Sequence, residues 1–243
     1  MVSTQPWTPL DLIVVSMARL LRDGEVVFHG VNSILPMVAV ALARRLHAPR
    51  LQAINIAGGV NPTPRFLPRS TTDAELARGS AAILSNEDFY DLCMRGGVDT
   101  IFLGAVQVDG AGRTNLSRIG SGDLPRVRLP GGGGAPVLMP TAGRVIISRT
   151  EHSRRSFVER LDFVTAAGNV DRVVTPLCIF RRVDGRLEVE SVHPPSSPEE
   201  VVERTGFALT IPGNCPQTPP PSEAELRALA ELDPENVRGL EAR

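Results

Sequence analysis

The run EVVFHG (25–30), SILPMVAVALARRLH (33–47), LQAINIA (51–57) constrains the fold more than any other part of the chain. Two short apolar segments flank one of helical length and period. The second short segment is apolar at nearly every position, as a strand covered on both faces must be. This β-α-β order calls for a crossover connection and a mostly parallel sheet. Upstream, Leu10, Ile13, Val14, Met17, Leu20 and Leu21 repeat at helical spacing, with Thr8, Pro9 and Asp11 as a start signal and Gly24 as a stop. Ser33 is the expected cap of the helix over 33–47, and Pro36 fits only its first turn.

The rest of the chain continues the pattern. Residues 60–72 (VNPTPRFLPRSTT) read as irregular, and helical pieces are expected near 73–84 and 86–96. DTIFLGAVQV (99–108), RVIISRT (144–150) and VVTPLCIF (173–180) read as buried strands, with a turn at DGAG (109–112). RRVDGRLEVESVH (181–193) has a hairpin signature at Asp184-Gly185, and SSPEEVVERTG (196–206) opens a short helix. The expected class is α/β: one open, mostly parallel sheet with flanking helices, in a single domain over 1–243 with a Pro-rich C-terminal arm over 212–243.

Bulk properties exclude several functions. The net charge of −1 gives no reason to expect nucleic acid or an anionic membrane as partner. All 26 basic residues are arginine, so no lysine of this chain can form a Schiff base. Cys93, Cys178 and Cys215 are too sparse for a disulfide frame or a zinc site, and Cys93 and Cys178 read as small buried hydrophobes. No His, Cys and carboxylate cluster has ligand spacing, so no metal is expected. No basic-then-apolar leader opens the chain, and no segment reaches the roughly 18 apolar residues of a membrane span; a soluble, cytoplasmic protein is expected.

Chemistry concentrates at a few places. LPGGGGAPVL (129–138) carries four consecutive glycines, each costly to order. Such a loop can present backbone N–H groups to a thioester oxygen or a phosphate, or be a flexible surface loop. It lacks the P-loop pattern, and the chain has no dinucleotide fingerprint. His29 and Asn32 follow the first strand at its carboxyl end, the edge where open α/β sheets hold ligands. His29 can be a proton-moving or a structural histidine; His152 reads as a cap or surface contact, and His47 and His193 as element termini. No nucleophile elbow is present, and nothing marks a serine of SRIGSGD (117–123) as a nucleophile. Arg65, Arg69, Arg126 and Arg128 flank the loops and can fork onto acidic groups or be solvated surface.

The order of ARRLHAP, a strand into a Gly turn, PRS, FLGAVQVDGAGRTN, GGGGA, EHSRRSFVERLDFVT and PPSSPEEVVERTGF resembles the β subunit of class I CoA-transferases, the glutaconate type above all, over roughly residues 10–210. The resemblance implies the class I CoA-transferase fold, a related α subunit as partner in an α2β2 assembly, and a CoA ester as substrate with no separate cofactor. Beside His29 and Asn32, candidates from their place at the strand end, it adds Asn55, Ile56, Ala57, Gly58, Gly59, Gly132 and Ala135 as candidate substrate contacts, with oxyanion-type backbone donors at Gly131, Gly133 and Gly134. In the family, the turn corresponding to INIAGG carries the glutamate that attacks the acyl-CoA; here Ile56 stands there, and no acid occurs between Gln52 and Thr72. A branched alkyl group cannot hold an acyl group or CoA covalently. One branch of the family, the actinobacterial steroid ring-opening hydrolases, has a β subunit without that glutamate. Resemblance to that branch implies retro-Claisen C–C hydrolysis of a cyclic β-keto acyl-CoA, with the base on the α subunit. A transferase with its nucleophile on the partner, and a non-catalytic scaffold, remain open.

Overall fold

The computed structural model describes residues 6–120 and 124–242. Residues 121–123, the end of SRIGSGD, lie outside the described residues. In chain order the elements are α1 (Pro9–Arg19), β1 (Val26–His29), α2 (Ile34–Leu46), β2 (Gln52–Asn55), β3 (Gly59–Val60), β4 (Ala82–Ile83), α3 (Asn86–Met94), β5 (Thr100–Leu103), β6 (Gln107–Val108), β7 (Thr114–Asn115), β8 (Arg118–Ile119), β9 (Val127–Arg128), α4 (Ala135–Thr141), β10 (Arg144–Ser148), β11 (Val170–Val174), β12 (Cys178–Val183), β13 (Arg186–Val192), α5 (Pro198–Arg204) and α6 (Glu223–Leu232). The chain forms two compact units: the part up to Glu87 together with Pro220 onward, and Asp88–Pro219.

In the first unit β1 and β2 pair in parallel, joined by α2; β3 adds antiparallel to β2 and β4 antiparallel to β3. Helix α2 is apolar on almost every face, and Leu35, Val38, Ala39, Leu42 and Ala43 are fully buried between α1, α6 and the strands. Each fully buried leucine or valine contributes about 1.5–3 kcal/mol of transfer free energy. The expected Ser33 cap does not form: its hydroxyl donates to the Val31 carbonyl instead. The first N–H groups of α2, those of Ile34 and Leu35, donate at 2.7 and 3.3 Å to the carboxylate of Glu241, 207 residues away from Ile34. The C-terminal segment is fastened at further points, by Arg19 with Glu225 at 2.7 Å and by Arg238 with both Asp11 and Asp233 at 2.7 Å. The expected helix over 73–84 shrinks to a single 3-10 turn, Ala74–Ala77, followed by β4.

In the second unit the strand order is β13-β12-β11-β10-β5. Strands β5, β10 and β11 are parallel, while β12 and β13 form an antiparallel hairpin extending from β11. The hairpin turns at Asp184 and Gly185, both with positive φ, as a tight turn matched to strand twist requires. Two expected strands are each divided. The run 99–108 breaks after Leu103 and resumes as β6, and 173–180 is split between β11 and β12, where Pro176, which lacks an N–H, occupies the turn. Helix α4 has no counterpart among the sequence expectations, since Pro136 and Pro140 mask it; Gly134 occupies its N-cap and Pro136 its first turn, where proline is tolerated. The α/β class with an open, mostly parallel sheet and flanking helices is the fold found, with antiparallel strands added at its margins. Among the described residues no helix is long and apolar enough to cross a membrane.

Candidate functional site

The turn after β2 belongs to the first unit. Parallel register places His29 beside Asn55, so two polar residues end adjacent strands at the carboxyl edge. Asn55 is buried and locks the turn: its Nδ2 donates to the Leu76 carbonyl at 2.9 Å, and its Oδ1 accepts from the Gly59 N–H at 3.3 Å. The Gly58 N–H closes the turn on the Asn55 carbonyl at 2.9 Å. Both glycines are dictated by space, because an added Cβ would lie 2.4 Å from the Leu84 carbonyl oxygen at Gly58 and 2.3 Å from that of Leu76 at Gly59. Ile56 and Ala57 form the tip and are half-buried. Asn32 is exposed, in a left-handed conformation, on the loop after β1.

His29 is 4% exposed, and its Nδ1 has no hydrogen-bond partner among the described residues. Burial pushes its pKa down to about 4, so at neutral pH it is an uncharged imidazole that can donate or accept one hydrogen bond but not act as an imidazolium acid.

Folding returns one distant acid to the turn. Glu75 precedes Leu76, whose carbonyl accepts from Asn55. Its carboxylate is already engaged: it accepts from the Arg65 backbone N–H at 2.7 Å, from Arg65 Nε and Nη2 at 3.2 and 3.0 Å, and from Arg78 Nε at 3.1 Å. These hydrogen bonds, Arg65's foremost, hold its pKa down at about 2, which leaves a poorly nucleophilic carboxylate. Asp73 accepts from the Glu75 N–H at 2.8 Å as the cap of its 3-10 turn. Both acids are thus engaged in holding the local backbone. Of the four arginines open to either acid binding or solvation, Arg65 pairs with Glu75, while Arg69, Arg126 and Arg128 are exposed.

The glycine loop belongs to the second unit. Its backbone is not uniformly available. The Gly131 N–H donates to the Leu116 carbonyl at 2.7 Å, and that of Ala135 to the Gly132 carbonyl at 2.9 Å. Gly131 is therefore not an open oxyanion donor here, a correction to the sequence expectation, and its φ of 105° shows why glycine is needed to aim that N–H inward. The N–H groups of Gly132, Gly133 and Gly134 have no backbone acceptor among the described residues. Side chains are excluded on both flanks: a Cβ at Gly132 would lie 2.7 Å from Thr165 Cγ2, and one at Gly134 2.4 Å from the Tyr90 hydroxyl. The loop can thus hydrogen-bond an anionic oxygen through N–H groups alone.

Two other histidines are structural rather than superficial. His152 is buried between Thr175 Oγ1 at 2.9 Å and Thr205 Oγ1 at 3.0 Å, tying α5 to the strand ends, and is not the expected cap or surface contact. His193 is buried against Thr218 Oγ1 at 2.8 Å. Cys93 and Cys178 are buried, as expected. Among the described residues no group of His, Cys, Asp and Glu is arranged to hold a metal ion.

Residues 12–204 match the family model described as Coenzyme A transferase. The chain is 35% identical to the B subunit of 3-oxoadipate CoA-transferase from Pseudomonas knackmussii, over 92% of each chain. It is 26% identical to the cholesterol ring-cleaving hydrolase IpdB subunit of Mycobacterium tuberculosis, covering 97% of this chain and 99% of that one. The crystal structure of the decarboxylase AibA/AibB superposes with a TM-score of 0.91 at 33% identity, covering 96% of this chain and 98% of that one. A turn locked by Asn55, a side-chain-free N–H loop and a match spanning most of the sequence converge on one conclusion: the chain belongs to the coenzyme A transferase family, on its β-subunit side.

Proposed function

We propose that this chain is the β-type subunit of a heteromeric enzyme that cleaves a C–C bond of an acyl-CoA without a covalent glutamyl intermediate, and that the reaction is the ring-opening hydrolysis of a cyclic β-keto acyl-CoA. The observation that carries the reading is Ile56, a half-buried hydrocarbon at the tip of a turn whose frame is otherwise kept by Asn55, Gly58 and Gly59. Glu75, the acid nearest that frame along the 3-10 turn, is held in ion pairs with Arg65 and Arg78 and cannot substitute.

The chemistry then runs through electrons rather than acyl transfer. Water adds to the ring ketone, assisted by a base on the partner subunit. The ring C–C bond breaks, its electron pair enters the thioester as an enolate, and the former ketone carbon becomes a carboxylic acid at the other end of the same, now open, chain. The enolate is reprotonated at carbon and CoA stays attached. Free N–H groups at Gly132, Gly133 and Gly134 are suited to stabilise the enolate oxygen; losing one such donor typically costs about 10²–10³ in rate.

Decarboxylation is the second reading, favoured by the 33% identity to AibA/AibB. Loss of CO2 from a suitably placed carboxylate delivers its electron pair to the same thioester enolate, so one loop serves both reactions. Transfer of CoA between acids requires a covalent adduct on the partner. The test is turnover by this chain co-purified with its α-type partner, in ¹⁸O water, on cyclic β-keto acyl-CoAs and carboxylated acyl-CoAs. One labelled oxygen in a ring-opened acid that retains CoA supports hydrolysis, and released CO2 supports decarboxylation. A hydroxylamine-sensitive glutamyl adduct, with CoA moved to a second acid, refutes both.

A further inference from the structure

Arg149 follows the last residue of β10 directly, at the carboxyl end of a parallel strand. Strands β5 and β10 are parallel neighbours with Leu103 opposite Ile147, so Gln107 and Arg149 both lie just beyond the carboxyl edge. Asn115 Nδ2 donates to Gln107 Oε1 at 2.9 Å, and the next residue, Leu116, receives the Gly131 N–H at 2.7 Å. The loop is thereby tied to the edge at which Arg149 emerges.

The Arg149 guanidinium is mostly buried yet only loosely paired. Its side chain is 20% exposed, its Nε is buried without a hydrogen-bond partner, and its one carboxylate neighbour among the described residues, Glu151, is 3.8 Å away. Glu151 is itself largely exposed and accepts a hydrogen bond from the Ser153 hydroxyl at 2.6 Å. Comparably buried arginines behave otherwise: Arg144, Arg172 and Arg238 are 13%, 22% and 15% exposed, and each has a carboxylate oxygen within 3.3 Å. Burial lowers the Arg149 pKa, with Glu151 offsetting part of the effect, as expected of a cation desolvated without a close counter-ion. A guanidinium is a rigid fork of donors suited to bidentate oxyanions, and leaving it unpaired in a partly dry position is costly.

We infer that Arg149 receives an anionic oxygen group of the acyl-CoA ligand, either a carboxylate at the far end of the acyl chain or a phosphate of CoA. The inference rests on the reading of this protein as an acyl-CoA enzyme. It assigns the ligand a second anchor beside the N–H loop, one that fixes the register of the thioester along that loop.

The test is calorimetric titration of the complex of this chain with its α-type partner, using glutaryl-CoA and pentanoyl-CoA, which differ in the distal carboxylate. Arg149→Met is expected to weaken glutaryl-CoA about 10- to 100-fold, the range of a charge-assisted hydrogen bond. Pentanoyl-CoA binding left unchanged identifies the acyl carboxylate as the partner; an equal loss for both ligands identifies a CoA phosphate. Unchanged affinity for both overturns the inference while leaving the acyl-CoA reading intact. Failure of the wild-type complex to bind either ligand overturns both. Should the methionine variant fail to assemble, Arg149→Lys, which keeps the charge but loses the fork, is read on the same criteria.

Discussion

Three of the four histidines are buried and held neutral, and this predicts a steep acid sensitivity. His29, His152 and His193 are 4%, 4% and 1% exposed, and burial pushes each pKa down to about 4. Arg204 adds to the depression at His152, and a backbone hydrogen bond opposes it at His193. A histidine with a depressed folded-state pKa carries fewer protons folded than unfolded. Unfolding therefore takes up protons between about pH 4 and 6.5, and stability present above that window is lost as the pH falls through it. Each shift of about 2.5 units corresponds to about 3.4 kcal/mol, so the three together reach about 10 kcal/mol, comparable to the whole stability of an ordinary domain. Between pH 7 and pH 5 alone the expected loss is about 5–6 kcal/mol. Guanidinium titrations at pH 7, 6 and 5, followed by far-UV circular dichroism and the fluorescence of Trp7, measure it directly. His29→Phe, which removes an imidazole whose Nδ1 has no partner, should reduce the pH dependence by about a third. A loss below about 2 kcal/mol over this range would mean that the buried imidazoles charge in place, and would refute the account of their environments.

Asn55→Leu removes both hydrogen bonds that frame the turn and strands the Leu76 carbonyl and the Gly59 N–H; a destabilisation of about 2–5 kcal/mol is expected from denaturant midpoints. Glu241→Ala uncaps α2 at Ile34 and Leu35, and should cost about 1–2 kcal/mol and speed amide exchange in the first turn of α2. Gly133→Val meets no atom within 4 Å but forces a β-branched residue to a φ of 50°, which disturbs the N–H loop locally; turnover should fall at least about 10²-fold with assembly with the partner intact, and unchanged turnover would favour a scaffold role.

Legibility followed the range of the interaction. The hairpin at Asp184-Gly185, the capped start of α1 and the largely buried β2 were readable because turn chemistry, caps and hydrophobic period act over a few residues. The 73–84 segment misled because its apparent helical period is overridden by Asp73, Arg65 and Arg78 gathering around Glu75. Helix α4 was hidden by its prolines, one of which sits where a helix accepts it. Arg149 carried one faint signal, a lone arginine directly after an apolar strand; that it lacks a close counter-ion is visible only once the carboxylates are placed.

By itself the amino-acid sequence determined the alternation of strands and helices, the glycine positions of the two loops and the presence of Ile56, with no acid between Gln52 and Thr72, at the turn after β2, since period, backbone freedom and side-chain identity belong to the chain before it folds. Only the tertiary structure decided which polar groups are already engaged. It brought Glu241 across 207 residues to the start of α2, closed Arg65 on Glu75, turned the Gly131 N–H toward Leu116 and left Arg149 with only a distant Glu151 as counter-ion among the described residues. Burial and pairing depend on which distant atoms displace water, and that is settled by packing rather than by neighbours in sequence.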